Sequence, residues 1–212
     1  MIKSEIRSLI KNLVANKYEE IERYHDRVID AAIEKGLNEF YNLVFLRNHH
    51  ELQRYTYQLG YTTPIAVALE ASTGLYYANY PTGYHPIPIP DKASGVRRVS
   101  TLAQGGTLFF PMDARELDLV THGHFVNSVT ATIGYVPRRT RVEFYNITAA
   151  VIASGVRMDC LIPFSEYSDS EIVLTPELTG DEGQGLVERI LAMLSQVKPV
   201  ELNENRQFQE GK

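Results

Sequence analysis

Between residues 3 and 15, Ile6, Leu9, Ile10, Leu13 and Val14 recur at the i, i+3, i+4, i+7 and i+8 spacing of one helical face. The spacing predicts a short amphipathic helix. From about Glu19 to Arg47 a longer pattern turns Ile21, Val28, Ile29, Ala32, Leu37, Phe40 and Val44 inward. Gly36 is its weak point, since glycine costs a helix about 1 kcal/mol against alanine. With a break, this helix can continue through "HHELQRYTYQLGY". Near the other end, Leu186, Val187, Ile190, Leu191 and Leu194 define a final helix, and Asp181 and Glu182 at its start complement the helix dipole.

Between these helices the pattern turns to β. "PIAVALEAS", "GLYYANYP" and "GVRRVSTLA" are short runs rich in Val, Ile and Tyr, punctuated by Pro and Gly. In "YPTGYHPIPIPD", Pro86, Pro88 and Pro90 follow Pro81 and impose an extended connection poor in backbone donors, which excludes a central strand. "GTLFFPM" reads as another strand, and Asp113 with Glu116 has the capping-box spacing of a short helical turn. Val129, Ala131 and Ile133 alternate with Ser128, Thr130 and Thr132, as in a strand buried on one side. That strand extends to residue 136, and "RVEFYNI" forms the next. Pro137 suits position i+1 of the turn between them, which puts Arg138, Arg139 and Arg141 at a hairpin tip. Such a tip is a solvated loop, a protein contact or a phosphate contact, because a guanidinium pairs readily with carboxylate or phosphate. "GVRMDCLIPF" is a further strand, followed by an acidic loop from Glu166 to Glu171.

The expected fold class is α+β, with N-terminal amphipathic helices and a C-terminal helix packed with a mostly antiparallel sheet or small sandwich. Residues 1–60 and 181–198 form its helical part, and residues 61–180 its β-rich part. Residues 199–212 are a polar C-terminal tail with little apolar content, ordered only on docking.

Composition narrows the function more than the fold. The chain has 212 residues, 44% hydrophobic and 22% charged, as expected of a folded soluble protein rather than a disordered one. With 26 acidic against 21 basic side chains its net charge is −5, which argues against a surface that neutralises many phosphates. The lone Cys160 rules out an internal disulfide and a CxxC metal knuckle, and a buried small hydrophobe is its expected role. Charges interrupt the apolar positions of the first helix, so no signal-peptide core is read there, and no apolar run approaches the ~18 residues of a membrane span. Synthesis in the cytoplasm follows as an expectation.

Motifs for catalysis are sparse. His49 with His50, and His122 with His124 in "THGHF", could ligate a metal, but no acidic third ligand stands at a recognisable spacing. The glycines of "AQGGT" fit neither dinucleotide nor P-loop patterns. GxSxG and HExxH are absent, and the acidic loops do not fit EF-hand spacing. "NIT" at 146–148 matches a glycosylation sequon, which has no meaning without secretion. Neither a cofactor nor a catalytic residue is assigned.

The stretches "VIDAAIEKGLNEFYNLV", "GLYYANYP", "GVRRVSTL", "FFPM", "GYVPRRTRVEFYNI", "RMDCLIPFSEYSDSEIVLTPE" and "GLVERILAMLSQVKPVELNEN" together resemble the small neck proteins of short-tailed, crAss-like bacteriophages. These are the head-to-tail adaptor or ring proteins below the portal. The resemblance spans nearly the whole chain and rests on degenerate patterns rather than a catalytic signature. It implies a ring of about twelve copies on the portal protein, continuing the DNA channel and receiving the next tail components in the virion. No membrane and no catalysis are implied. Helices would form the portal-proximal or ring-forming part. The tail, with Pro199, Leu202 and Phe208, would dock on neighbours. Arg138, Arg139 and Arg141 would pair across subunits with Glu166, Asp169 and Glu171. The acidic charge suits a channel along which DNA slides without sticking. Another tail component, such as a tube, nozzle or head-completion subunit, is the alternative, ahead of a metal-dependent hydrolase using the histidine pairs. A sequence-specific DNA reader is least expected, for want of a basic recognition helix.

Overall fold

The computed structural model describes residues 1–18, 24–48, 50–89, 93–101, 108–112, 133–178 and 180–196. The expectations for Ile21, His49, Asp113 with Glu116, His122, His124, residues 128–132, Pro199, Leu202 and Phe208 lie outside them. The described residues form an α+β protein with helices α1 (Lys3–Tyr18), α2 (Asp26–Asn48), α3 (Ala149–Ser154) and α4 (Asp181–Gln196). The chain divides into two compact units, one from Met1–Arg47 with Tyr167–Lys212 and the other from Asn48–Glu166.

In the first unit the helical periodicities translate into buried stripes. Ile6, Ile10 and Val14 of α1 are buried, with Leu9 and Leu13 half-buried beside them. In α2 the stripe comprises Ile29, Ala32, Ile33, Gly36, Leu37, Phe40, Tyr41 and Val44, and in α4 it comprises Gly183, Leu186, Val187, Ile190, Leu191 and Leu194. Gly36 has a packing reason to be there. A Cβ at this position would stand 2.6 Å from Ile190 Cγ1 and 3.3 Å from Leu186 Cδ1, so the missing side chain lets α2 approach α4. The start of α1 is tied down by backbone bonds to the acidic loop, which satisfy N–H groups that a helix leaves unpaired. Lys3 N–H donates to the Glu171 carbonyl at 3.0 Å and Ser4 N–H to the Asp169 carbonyl at 3.1 Å. Ile2 bridges Ile172, and Val173 N–H donates to the Met1 carbonyl at 3.0 Å.

The second unit is β-rich. Its strands are β1 (Tyr57–Leu59), β2 (Ala68–Leu69), β3 (Tyr76–Asn79), β4 (Pro88–Ile89), β5 (Ala93–Ser94), β6 (Val96–Thr101), β7 (Phe110–Pro111), β8 (Gly134–Pro137), β9 (Arg141–Tyr145) and β10 (Val156–Cys160). A five-stranded sheet has the order β2-β3-β9-β8-β7, antiparallel except for the parallel pair β7 and β8. A three-stranded antiparallel sheet has the order β1-β10-β6, and β4 pairs with β5. The two larger sheets are stitched at both sides. Leu108 bridges Ser100 and Phe109 N–H donates to the Val99 carbonyl at 3.0 Å, while Ile65 and Val156 exchange bonds of 2.9 and 3.0 Å. Ala78, Val99, Phe109, Tyr135, Val142, Phe144, Val156 and Met158 are buried core residues of this unit. Phe109 meets Phe144 edge to face, with centroids 5.7 Å apart, a favoured aromatic geometry.

Several local expectations are corrected. The second helix does not run on through residues 50–61: a 3-10 turn, Glu51–Tyr55, leads into β1, where Tyr57 and Leu59 alternate with exposed Gln58. Gly60, at φ +79°, ends that strand in a conformation open to glycine. Of "PIAVALEAS" only Ala68–Leu69 is strand. Pro137 closes β8, opposite Val142, rather than opening the turn. Gly134, Tyr135 and Val136 are all buried, so the one-sided alternation expected of this strand does not reach them. The short helix α3 has no counterpart in the periodicity.

Candidate functional site

The three arginines of the hairpin differ in their surroundings. Arg138 and Arg141 flank the turn, and the Arg138 N–H donates to the Arg141 carbonyl at 2.8 Å. On β9, strand alternation puts Arg141 and Glu143 on one face, where β3 presents Asn79 opposite Arg141 and Tyr77 opposite Glu143. Glu143 is only 6% exposed, and its carboxylate is met from two sides. Arg138 Nε donates to Oε2 at 2.9 Å, and Arg141 donates to Oε1 from Nε at 3.1 Å and from a terminal nitrogen at 2.8 Å. Two cations hold a carboxylate that would be costly to bury alone.

Arg141 also reaches across the sheet. Its terminal nitrogens donate to the two oxygens of Glu70 at 3.0 and 3.1 Å, and its guanidinium lies 4.9 Å above the Tyr77 ring. Fork-to-fork pairing of this kind fixes orientation as well as charge. Glu70 is itself held by the turn after β2. Its carbonyl accepts the Thr73 and Gly74 N–H groups at 3.3 and 2.8 Å, and its carboxylate accepts the Thr73 hydroxyl at 2.7 Å. The hydrogen bonds from Arg141 and Thr73 hold the Glu70 carboxyl below the ordinary carboxylate range. Bonds to Glu70 and Glu143 push Arg141 further up, and a bond to Glu143 does the same for Arg138. Arg139 is exposed at the tip.

The acidic residues proposed as counterparts are engaged within the chain. The Glu166 carboxylate accepts the His85 N–H at 2.5 Å and lies 2.7 Å from His85 Nδ1. Asp169 lies 3.2 Å from Arg7, whose guanidinium also makes a bidentate pair with Asp30 at 2.8 and 2.7 Å. Glu171 accepts the Ser168 N–H at 3.0 Å. Five of the six hairpin and loop residues therefore have contacts within the chain. Glu70 and Glu143, which do bind the arginines, were not singled out in the sequence. Glu143 left one trace there, as a carboxylate between Val142 and Phe144 in a strand.

Elsewhere, Cys160 is fully buried in β10, and burial pushes its thiol pKa up, away from the reactive thiolate. His50 is exposed after α2. Among the described residues no helix is long and apolar enough to cross a membrane. The chain matches no known protein family and no curated protein.

Proposed function

We propose that the protein is a structural ring subunit, a head-to-tail connector of a short-tailed, crAss-like bacteriophage that assembles below the portal and extends the DNA channel. Its work is assembly, with no reaction to catalyse. The observation that carries this reading is the state of the strands that are outermost in the five-stranded sheet among the described residues. On β2 Leu69 is 53% exposed, and on β7 Phe110 is 54% exposed. Apolar side chains on short edge strands suit contact with another chain. Their place on opposite edges of one sheet supports head-to-tail association, the geometry that closes into rings when the rotation permits. Arg139, exposed at the hairpin tip, is the member of the arginine group best placed for a contact between subunits.

Electron microscopy of the protein alone and mixed with the portal protein of the same phage tests this. The expected result is a ring seated below the portal. Particles that reach the tail tube or nozzle without touching the portal would assign the chain to another tail position, and a monomer indifferent to the portal would contradict the ring.

A further inference from the structure

The charge of the chain is unevenly divided. Segments 1–47 and 167–212 hold 12 basic and 17 acidic side chains, the entire net charge of −5, whereas 48–166 holds 9 of each. The β unit is therefore neutral as a whole, yet one face of it presents arginines whose charge is not met.

On β10 the side chains alternate, with Val156, Met158 and Cys160 buried and Arg157 and Asp159 half-buried on the opposite face. The register with β6 sets Ser100 opposite Arg157 and Arg98 opposite Asp159, so Arg98 and Arg157 are diagonal neighbours within reach of one ligand. Arg157 is held in place. Its Nε donates to Ser100 Oγ at 2.9 Å, and its guanidinium lies 4.8 Å over the Tyr61 ring. Asp159, the carboxylate in the register, accepts the Tyr61 hydroxyl at 2.8 Å instead of pairing with either arginine. Arg98 Nε is buried and has no acceptor. Among the described residues neither guanidinium has an ion-pair partner. A buried donor left without an acceptor is costly, and Arg98 beside Arg157, whose Nε alone is taken by Ser100, puts two guanidiniums on one sheet face where they can together receive an oxyanion.

We infer that this Arg98 and Arg157 face receives carboxylates from the acidic helical unit of a second copy, specifically Asp181 and Glu182 at the exposed start of α4. The inference rests on the proposed ring and adds an electrostatic contact to it. Charge complementarity points to the occupant: the arginines sit on the neutral unit and the surplus acid on the other, where Asp181 and Glu182 are adjacent exposed carboxylates, so a head-to-tail contact matches them. A phosphate backbone would have to approach the same arginines against the net negative charge of the whole chain.

The test is sedimentation velocity of the full chain, alone and on the portal, for the wild type, Arg98→Glu with Arg157→Glu, Asp181→Lys with Glu182→Lys, and all four together. Each charge-reversed pair is expected to weaken association by ~tenfold or more, and the combination to recover most of it. Arg98→Gln with Arg157→Gln, which removes the charge without reversing it, should lose less and serves if the glutamates prevent folding. Association in folded Gln or Glu pairs equal to wild type would overturn the inference and leave the ring standing. So would two weakened pairs whose combination does not recover. If the arginine variants instead lose affinity for duplex DNA with assembly intact, the face binds phosphate and the inference fails. A wild-type chain that stays monomeric even on the portal would overturn the ring and this contact with it.

Discussion

Arg141 and Glu70 meet fork to fork across the five-stranded sheet, with two parallel N–H···O bonds of 3.0 and 3.1 Å. This pair anchors the turn between β2 and β3 to β9, and β2 is one of the edges on which the proposed assembly depends. The Glu70 carboxyl is more acidic in the folded chain than in the unfolded one. Its contribution to stability is therefore complete above the ordinary carboxylate range and is lost as pH falls through the depressed value. The expected outcome is that Glu70→Gln flattens the acid limb of a melting curve recorded between about pH 3 and 7. Parallel acid limbs for wild type and variant would count against the pair. Because the group is half-buried and still open to solvent, salt should weaken the effect as well.

Glu143 offers a stronger perturbation, since it is buried and both partners depend on it. Glu143→Gln leaves Arg138 without its ion pair and halves the pairing of Arg141. A loss of about 1–3 kcal/mol is expected in urea unfolding, below the cost of breaking a fully buried pair because Arg138 is half open to water. A variant as stable as wild type would mean that the pair breaks even against its desolvation.

At Gly36 two effects oppose each other. Alanine favours the helix by about 1 kcal/mol, but its Cβ would crowd Ile190 Cγ1, and overpacking commonly costs about 1–3 kcal/mol. The contact is close enough that Gly36→Ala is expected to destabilise, and to cost less in an Ile190→Ala background, which lacks the crowded Cγ1. Stabilisation by Gly36→Ala alone, read from the melting temperature, would show that α2 and α4 separate at no cost.

The stripes of α1 and α4 were legible because each runs through several turns and buries one face, so periodicity reports packing directly. Tyr76–Asn79 was legible from its β-favouring tyrosines between Pro and Gly rather than from a period, and its burial does not alternate. Residues 50–61 were not: "ELQRYTYQL" contains both a helical turn and a three-residue strand, and its strand is fixed by pairing with β10, about 100 residues away in sequence. The six residues of α3 are too few for a period to emerge. The arginines at the hairpin were visible as a cluster, but their partners were hidden in different ways. Glu70 is 71 residues from Arg141 and meets it only through the order β2-β3-β9. Arg98 and Arg157 looked like ordinary strand residues, and only the register of β6 with β10 shows them on one face.

The central claim is that this chain assembles into a closed ring on a portal, and particle mass tests it most directly. Native mass spectrometry of the purified protein, alone and with its portal, is the measurement. The account predicts a single closed multiple of the subunit mass, about twelve copies, present at once or formed on the portal. A chain that remains one subunit in mass under both conditions would contradict it.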